Sequence, residues 1–426
     1  MRYAIVGCGS RHEMFVRALT GPFADRHQLV ALCDSNPVRL NMSRRNAGGG
    51  VGAYPAQDFA RMLGETTPDV VIVATPDHLH ATYVIAALDA GCDVICEKPL
   101  TVDAASLRAI TLAQARSRGT VKVTFNYRYA PARSQIRDLL ADGAIGQVVA
   151  VNFRWQLDRI HGADYFRRWH RQMENSGGLQ VHKCTHHFDL LNWWLDSAPQ
   201  SVAGSGQRAF YTPQTAERYG LAQHGKRCTG CAVKLDCPFA LDLGADARLD
   251  AMYRAAEGAD GYHRDLCIFD PEITIEDTLQ AHIRYASGAV ANYTLSAYAP
   301  QEGLQVTFIG TEGELHHQHT ELHGIFGGTR SAHEHEHMST VLHRSGHAPR
   351  NIPIPETQGD HGGADPVMLG YLLAPDSMPD LPHMAAPDTR AGCLSVATGL
   401  ALVQSISTGQ TVAISDILQP DWFAMG

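Results

Sequence analysis

Three histidines, a lysine and an aspartate lie close together in an apolar stretch that begins with Ser-Gly-Gly and ends in Trp-Trp-Leu. The spacing of the apolar residues predicts a helix in which His182, His186 and Asp189, at positions i, i+4 and i+7, share one face. Lys183 and His187 form a second polar pair beside that face. Buried ionisable groups are costly unless they are paired or used in chemistry. The stretch therefore predicts a site that transfers protons, and the alternative is a set of hydrogen-bonded core histidines.

The first residues of the chain predict a dinucleotide site. A short apolar strand over 3–6 is followed by a glycine-containing turn and then by a helix. The turn contains the residues that we expect to hold the cofactor, namely Gly7, Gly9, Ser10, Arg11 and His12. Gly7 permits the tight turn, and Gly9 lets the backbone approach a pyrophosphate at the helix N-terminus. His12 stands where the usual fingerprint has its third glycine.

The second strand bears on the choice between NAD and NADP. It ends at Asp34, where a carboxylate is expected to accept a hydrogen bond from the ribose 2′-hydroxyl. Since Asp34 would repel a 2′-phosphate, the sequence favours NAD. Arg39, Arg44 and Arg45 follow closely and leave NADP open as the alternative.

Two further strands complete the predicted cofactor site. Buried strands are predicted over 70–74 and 93–96, each followed by a polar loop. In an open parallel sheet, ligands bind outside the carboxyl ends of the strands. The residues expected to flank the nicotinamide are therefore Thr75, Pro76, His80, Glu97 and Lys98.

The predicted fold class is an α/β Rossmann domain, residues 1–125, followed by an α+β domain, residues 126–426, with a largely antiparallel open sheet. Runs with period 2, separated by short glycine-containing spacers, predict the antiparallel strands. We expect an insertion with four cysteines at about 205–270 and a closing helix at about 386–408.

Composition excludes several classes of protein. The 426 residues carry a net charge of −9, which argues against a protein that follows nucleic-acid phosphates. No apolar run reaches the ~18 residues that a membrane span needs, and the N-terminus has no signal-peptide pattern. We therefore expect a cytoplasmic protein whose ten cysteines are mostly reduced.

Four of the cysteines form a candidate metal site, namely Cys228, Cys231, Cys237 and Cys267. One close Cys-x-x-Cys pair and two further thiols in a reduced compartment favour a structural zinc site with four thiolate ligands. An iron–sulfur cluster, two disulfides or no metal are the alternatives. Because four thiolates leave no open coordination position, we expect the metal to fix a loop over the substrate cleft rather than to act in catalysis.

Taken together, these motifs resemble the Gfo/Idh/MocA oxidoreductases, which include glucose–fructose oxidoreductase and inositol dehydrogenase. The resemblance covers nearly the whole chain, and the segments that carry it are Gly7-Cys8-Gly9, Asp34, Ala74-Thr75-Pro76-Asp77, Glu97-Lys98-Pro99 and the helix from Gly177 to Asp189. It implies a homo-oligomer, dimer or tetramer, that acts on a sugar, polyol or glycoside with NAD or NADP. It also implies that Lys98 is catalytic and that His186 belongs to the site. At the position of the aspartate that usually completes such sites, this chain has His182.

Oxidation of an alcohol requires a base for the hydroxyl proton and a group that stabilises the oxyanion. A histidine suits the role of the base, so we assign that role to His186. Lys98 is expected to stabilise the alkoxide, and the sequence leaves open whether these two residues exchange roles. His182 is expected to orient the substrate or to relay the proton. The candidate contacts to sugar hydroxyls are Tyr127, Arg128, Arg168, His170, Lys183, His187 and His361.

Two other functions stay open beside a sugar dehydrogenase. Transient oxidation of a ring carbon acidifies the neighbouring C–H bond, so the same site could cleave a glycoside as an NAD-dependent hydrolase or lyase. The additional ionisable groups of His182, Lys183 and His187 motivate this hypothesis. The third hypothesis is a non-catalytic regulator that binds NAD.

Overall fold

The computed structural model describes residues 1–321, 337–355 and 360–419 of the chain. The strands are β1 (Arg2–Val6), β2 (Gln28–Asp34), β3 (Gly52–Pro55), β4 (Val70–Val73), β5 (Asp93–Cys96), β6 (Val121–Val123), β7 (Val148–Asp158), β8 (Pro199–Gln207), β9 (Thr278–Tyr285), β10 (Val290–Ala299), β11 (Glu302–Gly310), β12 (Gly313–Glu321), β13 (His337–Arg344), β14 (Arg350–Asn351) and β15 (Val412–Ala413). The α-helices are α1 (His12–Thr20), α2 (Pro37–Asn46), α3 (Phe59–Thr66), α4 (His80–Asp89), α5 (Ala104–Arg116), α6 (Pro131–Ala141), α7 (Arg159–Arg167), α8 (Met173–Ser176), α9 (Gly178–His182), α10 (Cys184–Leu195), α11 (Pro213–Arg218), α12 (Ala247–Met252), α13 (Glu257–Asp260), α14 (Asp360–Leu373) and α15 (Thr389–Thr408).

The first half of the fold is built on a parallel sheet with the strand order β3-β2-β1-β4-β5-β6. The four residues of β4, Val-Val-Ile-Val, are all buried, as expected when helices cover both faces of a parallel sheet. The strand order reverses between β1 and β4, so the carboxyl ends of these two strands border a crevice where ligands bind. The predicted Rossmann fold is confirmed.

The second half is built on a mixed sheet with the order β14-β13-β12-β11-β7-β10-β9-β8-β15 in the described residues. Its neighbouring strands are antiparallel except for β7 and β10, which run parallel. Residues of β9 alternate between buried and more exposed positions, because helices cover only one face of this sheet. The predicted α+β architecture with a largely antiparallel open sheet is confirmed.

Helix α15 is the predicted closing helix, and it begins at Thr389 rather than near residue 386. Among the described residues it is the one helix that is long and apolar enough to cross a membrane by length and composition. It packs against β8 and α10 and buries more than half of its apolar window inside the protein. It therefore serves here as a core helix between the second sheet and the site.

The site stretch is entered through a turn at Gly177 and Gly178, as predicted, but its helical part is divided into α9 and α10. Gly177 and Gly178 have φ of 65° and 71°, which separates α8 from α9. Lys183 lies between α9 and α10, and its φ of −100° and ψ of −45° stay in the right-handed helical region. His182 therefore ends one short helix, and His186 lies in the first turn of the next.

An insertion lies between β8 and β9 and contains α11, α12 and α13. It has a small apolar core of its own, formed by Leu243, Leu249, Met252 and Tyr253. Helix α12 contacts α2 of the parallel-sheet half, so the insertion reaches across to the crevice.

Candidate active site

A cleft with a volume of about 840 Å³ runs from the glycine turn after β1 to the histidines of α9 and α10. Its walls come from three sources: the carboxyl ends of the parallel strands, the α7–α10 region and the insertion. Residues that are far apart in the sequence therefore share one space, as expected for a ligand cleft at a strand-order reversal.

The glycine-turn end of the cleft fits a dinucleotide. A Cβ on Gly7, whose φ is +91°, would lie 2.5 Å from the carbonyl carbon of Ala74, so only glycine permits this approach of β1 and β4. A Cβ on Gly9 would meet no atom within 4 Å, so its backbone borders open space where a pyrophosphate can come close. Asp34 accepts hydrogen bonds from the amides of Cys8 at 2.5 Å and Asn36 at 2.6 Å, which fixes its carboxylate at the end of β2.

All the residues predicted to bind the cofactor line the cleft except His12; the lining residues are Gly7, Gly9, Ser10, Arg11, Asp34, Thr75, Pro76, His80, Glu97 and Lys98. His12 is buried, with one ring nitrogen against the carbonyl of Gly9 and the other 2.6 Å from the Ser43 hydroxyl. The structure therefore places His12 behind the turn. It supports the backbone of Gly9 and does not face a ligand.

Arg11 connects two parts of the cleft wall, the end of β5 and helix α14. Its guanidinium donates to Glu97 at 2.8 Å and to Asp365 at 3.0 Å. The amide of Asn126 donates to Asp365 at 2.7 Å. Since both acids already bond this arginine, Arg11 acts mainly as a structural bridge beside the site.

Lys98, His182 and Asp77 form a connected line of proton carriers, called the proton trio below. The Lys98 ammonium lies 3.4 Å from Nε2 of His182 and donates to the His182 carbonyl at 3.0 Å. Nδ1 of His182 lies 2.5 Å from a carboxylate oxygen of Asp77, which follows β4. The trio thus links the end of β5, the end of α9 and the loop after β4.

Burial pushes each member of the proton trio towards its uncharged form. It lowers the pKa of Lys98 to about 8, an effect that the charge of Asp77 opposes and that of Lys183 increases. Burial also raises the pKa of Asp77 well above its usual value. The pKa of His182 is held well below its usual range, mainly by burial and secondly by the charge of Lys98. When the trio holds one exchanging proton, the proton lies either on Lys98, opposite an ionised Asp77, or on Asp77, with Lys98 neutral. The three side chains carry no net charge in either state.

A second pair of proton carriers faces the same cleft. The Lys183 ammonium donates to the hydroxyl of Tyr127 at 2.9 Å, and burial lowers the pKa of this lysine. The Tyr127 ring stacks on the imidazole of His186 with ring centroids 4.3 Å apart. Lys98 and His186, which the sequence analysis places together, therefore line one cleft, with His182 adjacent to Lys98.

The predicted substrate contacts divide into two groups. Those that line the cleft are Tyr127, Arg168, His170 and Lys183. Arg128 and His187 lie elsewhere: Arg128 binds both carboxylate oxygens of Asp189, and His187 is fully buried, with Nδ1 2.7 Å from the Tyr293 hydroxyl. The side chain of His361 lies outside the described residues. Asp189 therefore belongs to a buried ion pair and His187 to the aromatic core.

Several cleft residues had no role in the sequence analysis. Asp77 was part of a recognised motif, and its position in the loop that follows a buried strand is the signal that could have identified it. The others come from α7, the segment after it and the insertion, namely His161, Asp164, Tyr165, Trp169, Arg248, Tyr253, Asp260 and Tyr262. No local spacing pattern marks these residues.

The four cysteines of the candidate metal site border one small cavity of about 20 Å³ in the insertion. All are free thiols; Cys228 accepts the Leu241 amide and Cys231 the Gly225 amide, each at 3.3 Å, and Cys267 lies 3.3 Å from Nδ1 of His224. Within the described ranges, no group of three or more His, Cys, Asp or Glu side chains is arranged to hold a metal ion. The structure therefore gives the zinc prediction no support.

Two models of one oxidoreductase family match the chain. The model of the NAD-binding Rossmann fold matches residues 1–125, and that of the C-terminal alpha/beta domain matches residues 137–414. The protein YteT of Bacillus subtilis is 32% identical over 428 aligned residues, which cover 97% of this chain and 98% of YteT.

Other proteins match over a shorter length or at lower sequence identity. An inositol 2-dehydrogenase of Rhizobium meliloti is 27% identical over 205 residues, which cover 48% of this chain and 58% of that relative. An oxidoreductase of Agrobacterium radiobacter, solved with NAD⁺, L-tartaric acid and magnesium, has a TM-score of 0.65 at 15% identity, over 98% of this chain and 99% of that one. At this identity the likeness shows the fold alone.

Proposed function

Because the chain belongs to the Gfo/Idh/MocA oxidoreductase family, an NAD(P)-dependent family that acts on CH–OH groups, we propose that it transfers a hydride between NAD and a hydroxyl carbon of a sugar or sugar derivative. The observation that carries this proposal is the single cleft that joins the dinucleotide turn to the proton trio. The nicotinamide, when bound, supplies the hydride acceptor. The chain itself has to bind the alcohol and remove its proton.

The substrate class is supported by the lining of the cleft near the trio. Trp169 and Tyr165 offer aromatic faces, and Arg168, His170 and Tyr127 offer polar groups. A sugar ring presents both apolar C–H surface and hydroxyls, which matches such a mixed lining. Relatives with the names inositol 2-dehydrogenase and D-apiose dehydrogenase point to the same class.

The proton trio gives the hydroxyl proton a path. A neutral Lys98 amine accepts the proton from the substrate, Nε2 of His182 accepts a proton from Lys98, and Nδ1 releases one to the ionised carboxylate of Asp77, whose raised pKa favours taking it up. The proton thus moves away from the alkoxide without leaving an uncompensated charge in the cleft. Lys98 takes the role of base that the sequence analysis gave first to His186, and His186 becomes a candidate hydroxyl contact.

The rate of alcohol oxidation is expected to rise with pH through about 8, since the pKa of Lys98 is lowered to about 8 and only the neutral amine accepts a proton. The rate of the reverse reduction should fall over the same range. Initial rates from pH 6 to 10 measure this dependence. A Lys98→Arg variant is the control, because its guanidinium keeps its proton throughout and the rise near pH 8 should disappear.

The function is tested with purified protein, NAD and a panel of sugars, polyols and glycosides. Stoichiometric formation of NADH, followed by its absorbance, together with one equivalent of ketone supports the proposal. Tight NAD binding without turnover of any panel member in either direction would favour the non-catalytic regulator.

One observation favours the second candidate, an NAD-dependent glycoside hydrolase or lyase. Elimination beside a transient ketone needs an acid–base group separate from the one that serves the hydroxyl, and the Lys183–Tyr127 pair supplies it in the same cleft. A glycoside with a chromogenic leaving group separates the two functions. Release of that group without net NADH supports cleavage, whereas matched NADH and ketone support the dehydrogenase.

The family resemblance also supports a cytoplasmic homo-oligomer assembled through the open face of the second sheet. This face exposes polar side chains, among them Asn152, Arg154, Gln280 and Gln305. Light scattering of the purified protein compares its mass with that of one chain.

A further inference from the structure

The insertion is anchored on the cofactor end of the cleft. Arg248 donates to Glu13 at 2.6 Å and to the Ser10 hydroxyl at 2.9 Å, so it contacts both the glycine turn and α1. The side chain of Asn36, two residues beyond Asp34, donates to the carbonyl of Ala256 at 3.0 Å. These contacts place α12 and α13 beside the part of the cleft where the adenosine ribose of a dinucleotide is expected.

Arg39 is a cation beside Asp34 and therefore beside that ribose position. It lies in the first turn of α2, and its guanidinium is 3.7 Å from a carboxylate oxygen of Asp34. The same nitrogen forms an ion pair with Asp260 of the insertion, 221 residues further along the chain. The side chain of Arg39 is only 11% exposed and that of Asp260 18%, so solvent screens this pair weakly.

The two cofactors make opposite demands at this point. A ribose 2′-hydroxyl needs an acceptor, which Asp34 provides, whereas a 2′-phosphate needs a cation such as Arg39 and suffers repulsion from nearby carboxylates. Asp260 both occupies Arg39 and adds a second negative charge beside Asp34. The amides of Asn36 and Tyr262 and the charge of Arg39 outweigh the burial of Asp260 and lower its pKa, so this carboxylate is ionised at neutral pH.

We propose that Asp260, a residue of the insertion outside the Rossmann half, determines the selectivity for NAD over NADP by holding Arg39 away from a 2′-phosphate. The inference rests on the proposed function only in that a dinucleotide must bind this cleft. It assigns the insertion a direct part in cofactor recognition, in place of a purely structural one.

The test measures the dissociation constants of NAD and NADP by calorimetry, without turnover. In the native protein NAD should bind more tightly. Asp260→Asn should tighten NADP binding about tenfold and change NAD binding little, because Arg39 becomes available to the phosphate. The double variant Asp260→Asn/Arg39→Gln should lose this gain. Asp236→Asn, on an exposed turn of the same insertion, is the matched control and should leave both constants unchanged.

A ratio of the two constants that stays the same in Asp260→Asn overturns the proposal. If that variant does not fold, Arg39→Gln alone gives the answer, since an arginine already held by Asp260 contributes little to NADP binding. A tenfold loss of NADP affinity in Arg39→Gln would mean that Arg39 is available in the native protein, and would also overturn it. Failure of the native protein to bind either dinucleotide would instead count against the proposed function.

Discussion

Replacing Lys98 with methionine should lower kcat for alcohol oxidation about a thousandfold or more and leave the dissociation constant of NAD nearly unchanged. Methionine fills similar space but can neither accept the hydroxyl proton nor stabilise the alkoxide. General-base catalysis contributes roughly 10² to 10⁴ in rate, and one oxyanion donor contributes about 10² to 10³. Steady-state kinetics together with NAD titration separate the two parameters.

The matched control for this change is Lys234→Met, because Lys234 lies on the surface of the insertion in an ion pair with Asp242. Its kinetics should equal those of the native protein. Activity within about tenfold of native in Lys98→Met would contradict the role of Lys98. A parallel loss of NAD binding would show that Lys98 mainly holds the cofactor, since it also lines the cofactor end of the cleft.

The parallel-sheet half of the fold could be predicted from the sequence because the patterns that indicate it are local. Buried apolar runs mark β1, β2, β4 and β5, and the glycine turn follows β1 directly. Strand β3, only four residues long, has no fully buried position and gave no such signal. The closing helix α15 was predicted to within three residues at its start, since its composition and terminal glycine are local features too.

The arrangement of the cleft could be predicted only in part from the sequence, because the contacts that define it are long-range. His182 and Asp77 are separated by 105 residues, and no local pattern brings them together. His186 lines the cleft, whereas its neighbour His187 on the same helix α10 points into the aromatic core. Tertiary packing decides which of these two imidazoles meets the cleft, and the local sequence does not show it.

Replacing Asp77 with asparagine should lower kcat about a hundredfold and also move the rising limb of the pH profile to lower pH. The amide cannot take up the proton that His182 releases, and by donating to Nδ1 it would leave hydrogen on Nε2, opposite Lys98. The carboxylate of Asp77 raises the pKa of Lys98, so its removal lowers that pKa further below about 8. Rates measured from pH 5 to 10 report both effects.

The shift of the pH profile distinguishes a proton carrier from a residue that merely supports the fold. Loss of packing at Asp77 would reduce kcat at every pH without moving the limb. Asp93→Asn provides the comparison, because Asp93 begins β5 at the opposite end of the strand from Lys98 and accepts hydrogen bonds from Thr120. An unmoved limb in Asp77→Asn, or a limb moved to higher pH, would break the link from Asp77 through His182 to Lys98. Catalysis would then depend on Lys98 alone, with its proton released directly to solvent.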